Sequence, residues 1–467
     1  MTDPKTRRFF LGAVTAAAAS RVWGANDKIN VAIVGLGGRG SNHLTQYSHL
    51  AESRVAALCD VNQSAREVAQ AYLARNSFEK AKEYEDMRQA FADPGVDAVS
   101  IATPNHWHAL AAIWAMKAGK DVYGEKPACY NIYEGQKMLD VQKATGKLMQ
   151  VGSQHRSTPF KIKAIAALQQ GLIGKVYMSK GLCFKRRPSI GHTADAPTPA
   201  GLNWDLFLGP APMRPYNEKR FKYYWHWFWA TGNGDIGNQG VHEMGIARWG
   251  LGDPQWPKTA VAFGGKLGID DDTETPNTLM VGFNYGDREI MFEVRGNLTG
   301  GEGSRQGRVI TAGPAAGRAG RGAAPPAAPP DAAAPTTVGP ANNPINVAVG
   351  NLFYGSEGWA AMSDQGFQAY KGESSEIVME ERPQRGPGGD TTGLHMQNFL
   401  QACKSRKAGD LTDPLSNAVY SAYLCHLSNI SYRSGRKLTL EAGPKFTGDA
   451  EATKMLTRDV YRKPYVV

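Results

Sequence analysis

Short apolar runs rich in β-branched residues, each followed by a more polar stretch, dominate the first third of the chain. Residues 30–34 (NVAIV) show no apolar–polar alternation, as expected of a strand buried on both faces of a parallel sheet. Residues 54–60 (RVAALCD), 96–102 (VDAVSIA), 121–123 (DVY) and 148–152 (LMQVG) repeat this pattern, with a helix expected over 109–118. Strands alternating with helices predict a doubly wound α/β domain. The pattern then changes. Sheet-like sequence resumes at 352–358, and 391–403 and 415–432 read as amphipathic helices, the second ended by Ser434 and Gly435. Residues 300–344 are rich in Gly, Ala and Pro with few apolar anchors, so they read as a loosely ordered insertion between sheet strands.

Composition narrows the class. The chain has 467 residues, of which 42% are hydrophobic and 21% charged, which fits a soluble protein of two or three domains. Its net charge of +10 comes from scattered basic residues, and the longest run is Lys185-Arg186-Arg187, so nucleic acid is not an expected partner. Five cysteines, with no CxxC pair, exclude a zinc ribbon and a thioredoxin-type motif. No stretch of about twenty apolar residues occurs, so no membrane span is expected in the mature protein. At the start, Arg7-Arg8-Phe9-Phe10 precedes an Ala-rich run. Residues 1–25 therefore read as a twin-arginine signal, with export machinery as a partner and a periplasmic or otherwise exported destination. That route carries folded proteins and suits an enzyme that loads its cofactor in the cytoplasm.

The first strand runs into Gly35, Leu36, Gly37, Gly38, Arg39 and Gly40, which fit G-x-G-x-x-G. Gly35 permits the tight turn, Gly37 lets backbone amides approach a pyrophosphate, and Gly40 allows close helix–strand packing. Asp60 ends the second strand twenty residues later, placed to bond the adenosine ribose and favour NAD; Arg66 nearby leaves NADP possible, and the alternative for Asp60 is a helix cap. Thr103, Pro104, Asn105, His108, Glu125 and Lys126 lie past later strands on the same rim, where doubly wound sheets hold their ligands.

The glycine loop, Ala102-Thr103-Pro104-Asn105, Glu125-Lys126-Pro127 and a His-bearing helix in the second half resemble the Gfo/Idh/MocA family, of the glucose-fructose oxidoreductase and inositol dehydrogenase type. The resemblance covers residues 26 to 440. It implies an N-terminal NAD(P)-binding Rossmann domain over 26–153 and an α+β substrate and oligomerisation domain with an open, mostly antiparallel sheet over 154–390. C-terminal helices and tail, 391–467, would complete the second domain. It further implies a homodimer or homotetramer.

Catalysis is expected from Lys126 and His242. A helix from Asp235 puts Asp235, Asn238 and His242 on one face. Family members usually carry Asp four residues before this His, and Asn238 stands there instead. Either Asp235 turns inward or Lys126 and His242 work without the acid. His242 suits a general base for a sugar hydroxyl, and Lys126 can hold the same oxygen; the plain alternatives are a buried hydrogen bond for His242 and a surface charge for Lys126. Gln154, His155 and Arg156, with Trp225 and Trp227 from the aromatic run 223–229, are candidate substrate contacts, although such rings commonly serve packing. His106, His108 and His242-Glu243 match no zinc spacing, so no metal is expected.

Two enzymatic readings follow. One is an exported sugar or cyclitol oxidoreductase whose NAD stays tightly bound and is recycled internally, since no free pool exists outside the cytoplasm. The other is an NAD-dependent glycosidase working by transient C3 oxidation, elimination, water addition and re-reduction, as in some relatives of this family; those relatives depart from Glu125-Lys126-Pro127. A sugar-binding module with a structural cofactor is a third reading.

Overall fold

The computed structural model describes residues 27–303, 345–372, 376–383 and 391–467. The expected signal, residues 1–25, and residues 304–344 of the expected insertion lie outside the described residues. The chain is an α/β protein in two parts. In the first, β1 (Ile29–Val34), α1 (Gly38–His49), β2 (Ser53–Cys59), α2 (Gln63–Arg75), β3 (Lys82–Tyr84), α3 (Met87–Ala92), β4 (Ala98–Ile101), α4 (Asn105–Lys117), β5 (Asp121–Gly124), α5 (Ile132–Thr145) and β6 (Met149–Val151) alternate. The six strands pair in parallel in the order β3-β2-β1-β4-β5-β6, so the strand order reverses beside β1. That reversal opens a crevice at the carboxyl ends of β1 and β4. Asn62, whose side chain accepts from the Ser64 amide at 3.1 Å, caps α2 and leaves Asp60 free of that duty.

The second part begins with a short 3-10 helix, Gln154–Ser157, then α6 (Pro159–Gln169), β7 (Val176–Cys183), α7 (Trp204–Leu208), α8 (Glu218–Phe221) and a second 3-10 helix, Tyr223–Trp227. The helix expected from Asp235 is two pieces joined at Gln239, α9 (Gly234–Asn238) and α10 (Gly240–Gly250). There follow β8 (Thr259–Gly265), β9 (Thr278–Asn284), β10 (Glu289–Arg295), β11 (Glu302–Gly303), β12 (Asn346–Val347), β13 (Val349–Gly355), β14 (Gly358–Ser363), β15 (Gly366–Lys371) and β16 (Ile377–Glu381), then α11 (Thr391–Ser405), α12 (Leu415–Ser434), β17 (Leu438–Thr439) and α13 (Ala450–Lys454). Nine strands form one sheet in the order β16-β15-β14-β13-β7-β10-β9-β8-β17, antiparallel except where β7 meets β10. Helix α10 covers one face of this sheet through its contacts with β7, β10 and β13. On the other face Val261 and Met291 both lie opposite Gly282 and are exposed, as is Phe263.

Helix α11 touches both parts, packing on the 3-10 helix Gln154–Ser157 and on α1 and β5. Met396, Phe399, Leu400 and Cys403 of α11 are buried in the Rossmann core against Ile29, Leu58 and Tyr123. The amphipathic stripe of α11 thus finds its partner on the first sheet. Helix α12 is buried along most of its length and joins one apolar core with α4, α10 and strands of the nine-stranded sheet.

Candidate active site

The turn after β1 is shaped by two glycines. Gly35 has φ +85°, and a Cβ there would stand 2.8 Å from the Ala102 backbone. A Cβ on Gly40 would meet the Gly35 carbonyl oxygen at 1.7 Å, so α1 can pack this closely only with glycine. Gly37 and Gly38 have open space beside them and form the rim. The Asp60 carboxylate accepts from the Leu36 amide at 2.6 Å and the Asn62 amide at 2.8 Å, tying the loop to the end of β2. Burial raises its pKa, against the pull of those two amides. Arg66 donates to the Asp60 carbonyl oxygen.

A cleft of about 850 Å³ runs from Asp60 past Gly37, Gly38 and Arg39 to Thr103, Pro104, Asn105, His108, Glu125, Lys126 and Asn238. Phe207, Phe221, Tyr223, Trp225 and His226 of the second part roof it. Its size is in the range of small-molecule and cofactor sites. Two polar atoms on its walls, Arg39 Nη2 and Thr103 Oγ1, are buried and without a partner among the described residues. With the glycine cradle, they fit a dinucleotide phosphate and its ribose.

Glu125 is a structural hub. Its Oε1 accepts from Arg39 Nε at 2.7 Å, His43 Nε2 at 3.1 Å and Gln154 Nε2 at 3.1 Å, and its Oε2 from the Lys126 amide at 3.2 Å. Burial alone would raise this carboxyl; Arg39 and His43 outweigh it and hold it well below the usual carboxylate range. His108 is fixed between the carbonyls of Pro127 and Thr103, 2.7 and 2.8 Å away. His106 likewise reaches the Phe207 carbonyl at 2.9 Å. Asn105 donates to Asn233 Oδ1 at 3.0 Å, linking the cleft rim to the start of α9.

Lys126 donates to the Asn238 carbonyl oxygen at 2.9 Å and to its side-chain oxygen at 3.3 Å. Burial lowers the Lys126 pKa, with Glu125 opposing. Asn238 in turn donates to the Tyr223 hydroxyl at 2.9 Å. Asp235 does not turn toward Lys126. Its carboxylate is forked by Arg187 at 2.7 and 3.0 Å, because Arg187 is the nearer cation and offers two parallel N–H groups. Asp235 and Trp227 line a separate cavity of about 30 Å³ beside Arg187, room for about one water.

His242 lies outside the residues that line the main cleft. Its Nδ1 is buried without a partner among the described residues, and its ring meets His155 edge-on at 5.1 Å. Burial, then the charges of Lys126 and His155, push its pKa well down. His155 accepts from Lys161, which bridges to Asp364 at 2.7 Å; burial and Lys161 lower His155 to about 3. Of the other expected substrate contacts, Gln154 is spent on Tyr123 and Glu125. Arg156 is forked onto the partly exposed Asp253 at 2.6 and 2.9 Å and lies over Trp249. Trp225 does line the cleft, stacked on His226 at 3.6 Å. Tyr223 and His226 were legible only as members of an aromatic run. No spacing rule points to them, because what brings them to the cleft is the 3-10 turn and its long-range partners.

Residues 29–153 match the oxidoreductase family described as GFO_IDH_MocA, NAD-binding Rossmann fold, and residues 163–270 match its C-terminal alpha/beta domain. A glycosyl hydrolase family 109 protein of Shewanella pealeana is 27% identical over 154 residues, 32% of this chain and 34% of that protein. An inositol 2-dehydrogenase/D-chiro-inositol 3-dehydrogenase of Shouchella clausii is 32% identical over 170 residues, 36% of this chain and 48% of that protein. The chain thus spans about a third to a half of the length of these curated relatives. Among solved structures, a levoglucosan dehydrogenase in complex with NADH and levoglucosan aligns with TM-score 0.61 at 17% identity, covering 90% of this chain and all of that one. The WlbA dehydrogenase of Bordetella pertussis in complex with NADH and UDP-GlcNAcA aligns with TM-score 0.59 at 17% identity, covering 89% and 99%. At such identity the likeness is one of fold.

Proposed function

We propose, from the match of residues 29–153 and 163–270 to the two domain models of the Gfo/Idh/MocA oxidoreductase family, that the chain is a member of it and oxidises a sugar or cyclitol hydroxyl with a tightly held NAD, after export by the twin-arginine route. The observation that carries this reading is the single cleft in which a glycine cradle and Asp60 lie at one end and Lys126 with Asn238 at the other, under a roof of polar and aromatic side chains. When bound, the nicotinamide supplies the hydride acceptor. The residues do the rest. Lys126 directs N–H groups at two oxygens of Asn238, so its neutral amine keeps a lone pair for the substrate hydroxyl proton. Burial favours that neutral form.

Retention of the nucleotide agrees with the way the roof is clamped. Trp107 donates to the carbonyls of Leu206 and Phe207 at 3.1 and 3.0 Å, and Arg462 of the tail donates to the Gly209 carbonyl at 2.9 Å. Export rests on Arg7, Arg8 and the following residues. The exposed sheet face with Val261, Phe263 and Met291 supports a homodimer or homotetramer. The glycosidase reading is favoured by one observation, the family 109 relatives at 27% identity.

The experiment is to purify the exported protein, denature it, weigh the released nucleotide, and then screen polyols and glycosides. Stoichiometric NAD with net ketone formation is the expected result. Free sugar released from a glycoside with no net NADH favours the hydrolase. Absence of any nucleotide sinks the tightly held cofactor.

A further inference from the structure

The hydrogen-bond polarity around Asn238 assigns a direction to a proton that no motif in the chain reveals. Lys126 spends its N–H groups on the Asn238 carbonyl and on the Asn238 amide oxygen, so that oxygen faces it. The amide nitrogen then faces Tyr223 and can only donate, at 2.9 Å. From the other side Arg187 Nη1, also donor only, reaches the same hydroxyl at 3.2 Å. A phenol oxygen has two acceptor sites and one proton. Both acceptor sites of Tyr223 are thus filled, and its proton has no acceptor among the described residues. Tyr223 is about half exposed, at 49%, and lines the cleft beside Lys126 and Asn238. Asp235 contributes at one remove by forking Arg187 into place. A carboxylate at position 238 would instead accept the Tyr223 proton and close the circuit on itself.

We propose that Tyr223 is a catalytic residue whose hydroxyl donates into the cleft to the substrate oxygen that becomes the carbonyl, and that Asn238 is the positioning residue that gives it this polarity. The assignment rests on the oxidoreductase reading above. In the oxidation, the substrate O–H bond breaks with its proton passing to the neutral Lys126 amine, and the hydride leaving carbon would be taken up by the nicotinamide of a nucleotide held by the glycine cradle and Asp60. Tyr223 keeps its own proton throughout and stabilises the negative charge that builds on the oxygen. The substrate class is a polyol whose reacting hydroxyl meets one acceptor, the neutral Lys126 amine, and one donor, Tyr223.

The test is a double-mutant cycle on the nucleotide-loaded full chain, with Tyr223→Phe, Asn238→Asp and the pair. NADH formation is followed with the fastest substrate of D-glucose, N-acetylglucosamine, myo-inositol and levoglucosan. Quenching of tryptophan fluorescence by D-glucono-1,5-lactone, whose carbonyl oxygen asks for the same donor, is followed in parallel. Tyr223→Phe is expected to lower kcat roughly 10- to 100-fold with KM little changed and to weaken lactone binding about tenfold. Asn238→Asp is expected to do likewise, and adding Tyr223→Phe to it to cost nothing more, since the proton is already diverted. Full activity and full lactone affinity in Tyr223→Phe, or losses that multiply in the pair, overturn the proposal; retained NADH binding serves as the control for folding. Should the wild-type protein bind lactone but form NADH from no polyol, the oxidoreductase reading fails, and Tyr223 stands or falls on the lactone affinities alone.

Discussion

Glu243, next to His242, carries a carboxyl into the packed underside of α10. One oxygen accepts from Gln239 at 3.2 Å and the other is buried without a partner among the described residues. Burial raises its pKa to about 8. The folded chain therefore holds this proton where the unfolded chain, with a glutamate pKa of about 4.3, has lost it. The linkage sign follows: stability from this group is complete below about pH 4, declines as pH rises, and is lost by about pH 8. Glu243→Gln should flatten that slope, raising the melting temperature over wild type more at pH 8 than at pH 5, by an amount worth about 1–3 kcal/mol. Thermal melts across pH 5 to 8 check it, and an equal gain at all pH values contradicts it. Lys126 carries a second prediction at this scale. If its neutral amine takes the hydroxyl proton, kcat for oxidation rises with pH along a limb lying below the ordinary lysine range. Lys126→Arg, unable to shed its proton, removes that limb while nucleotide binding persists.

At the scale of elements, the β1–α1 turn separates two kinds of glycine. Gly40 is needed for the approach of α1 to the turn, since its Cβ would overlap the Gly35 carbonyl. Gly37 and Gly38 have free space and serve the rim of the cleft instead. Gly40→Ala should therefore destabilise the protein by about 1–3 kcal/mol and weaken nucleotide binding, whereas Gly37→Ala should leave the melting temperature within a degree or two and act on the nucleotide alone. Denaturant unfolding and nucleotide titration of both variants separate the two roles. The break at Gln239 between α9 and α10 matters at the same scale. It ends α9 at Asn238, whose carbonyl oxygen accepts from Lys126, and sets His242 on a separate helix.

Across the whole molecule, the C-terminal tail straps the two parts together over the cleft. Arg458 pairs with the buried Glu134 of α5 at 3.3 Å and donates to the Ala230 carbonyl at 3.1 Å, while Tyr465 reaches Asp205 at 2.9 Å. Arg458→Ala leaves Glu134 uncompensated in the interior, a loss of about 3–5 kcal/mol, offset in part by the Tyr461 hydroxyl at 3.0 Å. It should also speed NADH release, because the segment it holds leads from the roof of the cleft. Stopped-flow displacement of NADH measures this; an unchanged off-rate would show that the strap does not govern retention.

What could be read in the chain and what could not divides along one physical line. The parallel strands, the glycine loop and Asp60 were legible because their demands are local: an unbroken apolar run for a doubly buried strand, a positive φ at Gly35, an acid at the end of the next strand. Lys126 was marked by the rim it lies on. The helix stripe of 391–403 was legible too, but not its partner, since an amphipathic face does not say which sheet will cover it, and α11 chose the Rossmann core. The circuit from Lys126 through Asn238 and Tyr223 to Arg187 and Asp235 was decided only by the tertiary structure. Lys126 and Asn238 are 112 residues apart, and Arg187 and Asp235 are 48 apart. Which end of an amide faces which neighbour is set by the donors that folding delivers, and that is information no stretch of sequence holds by itself.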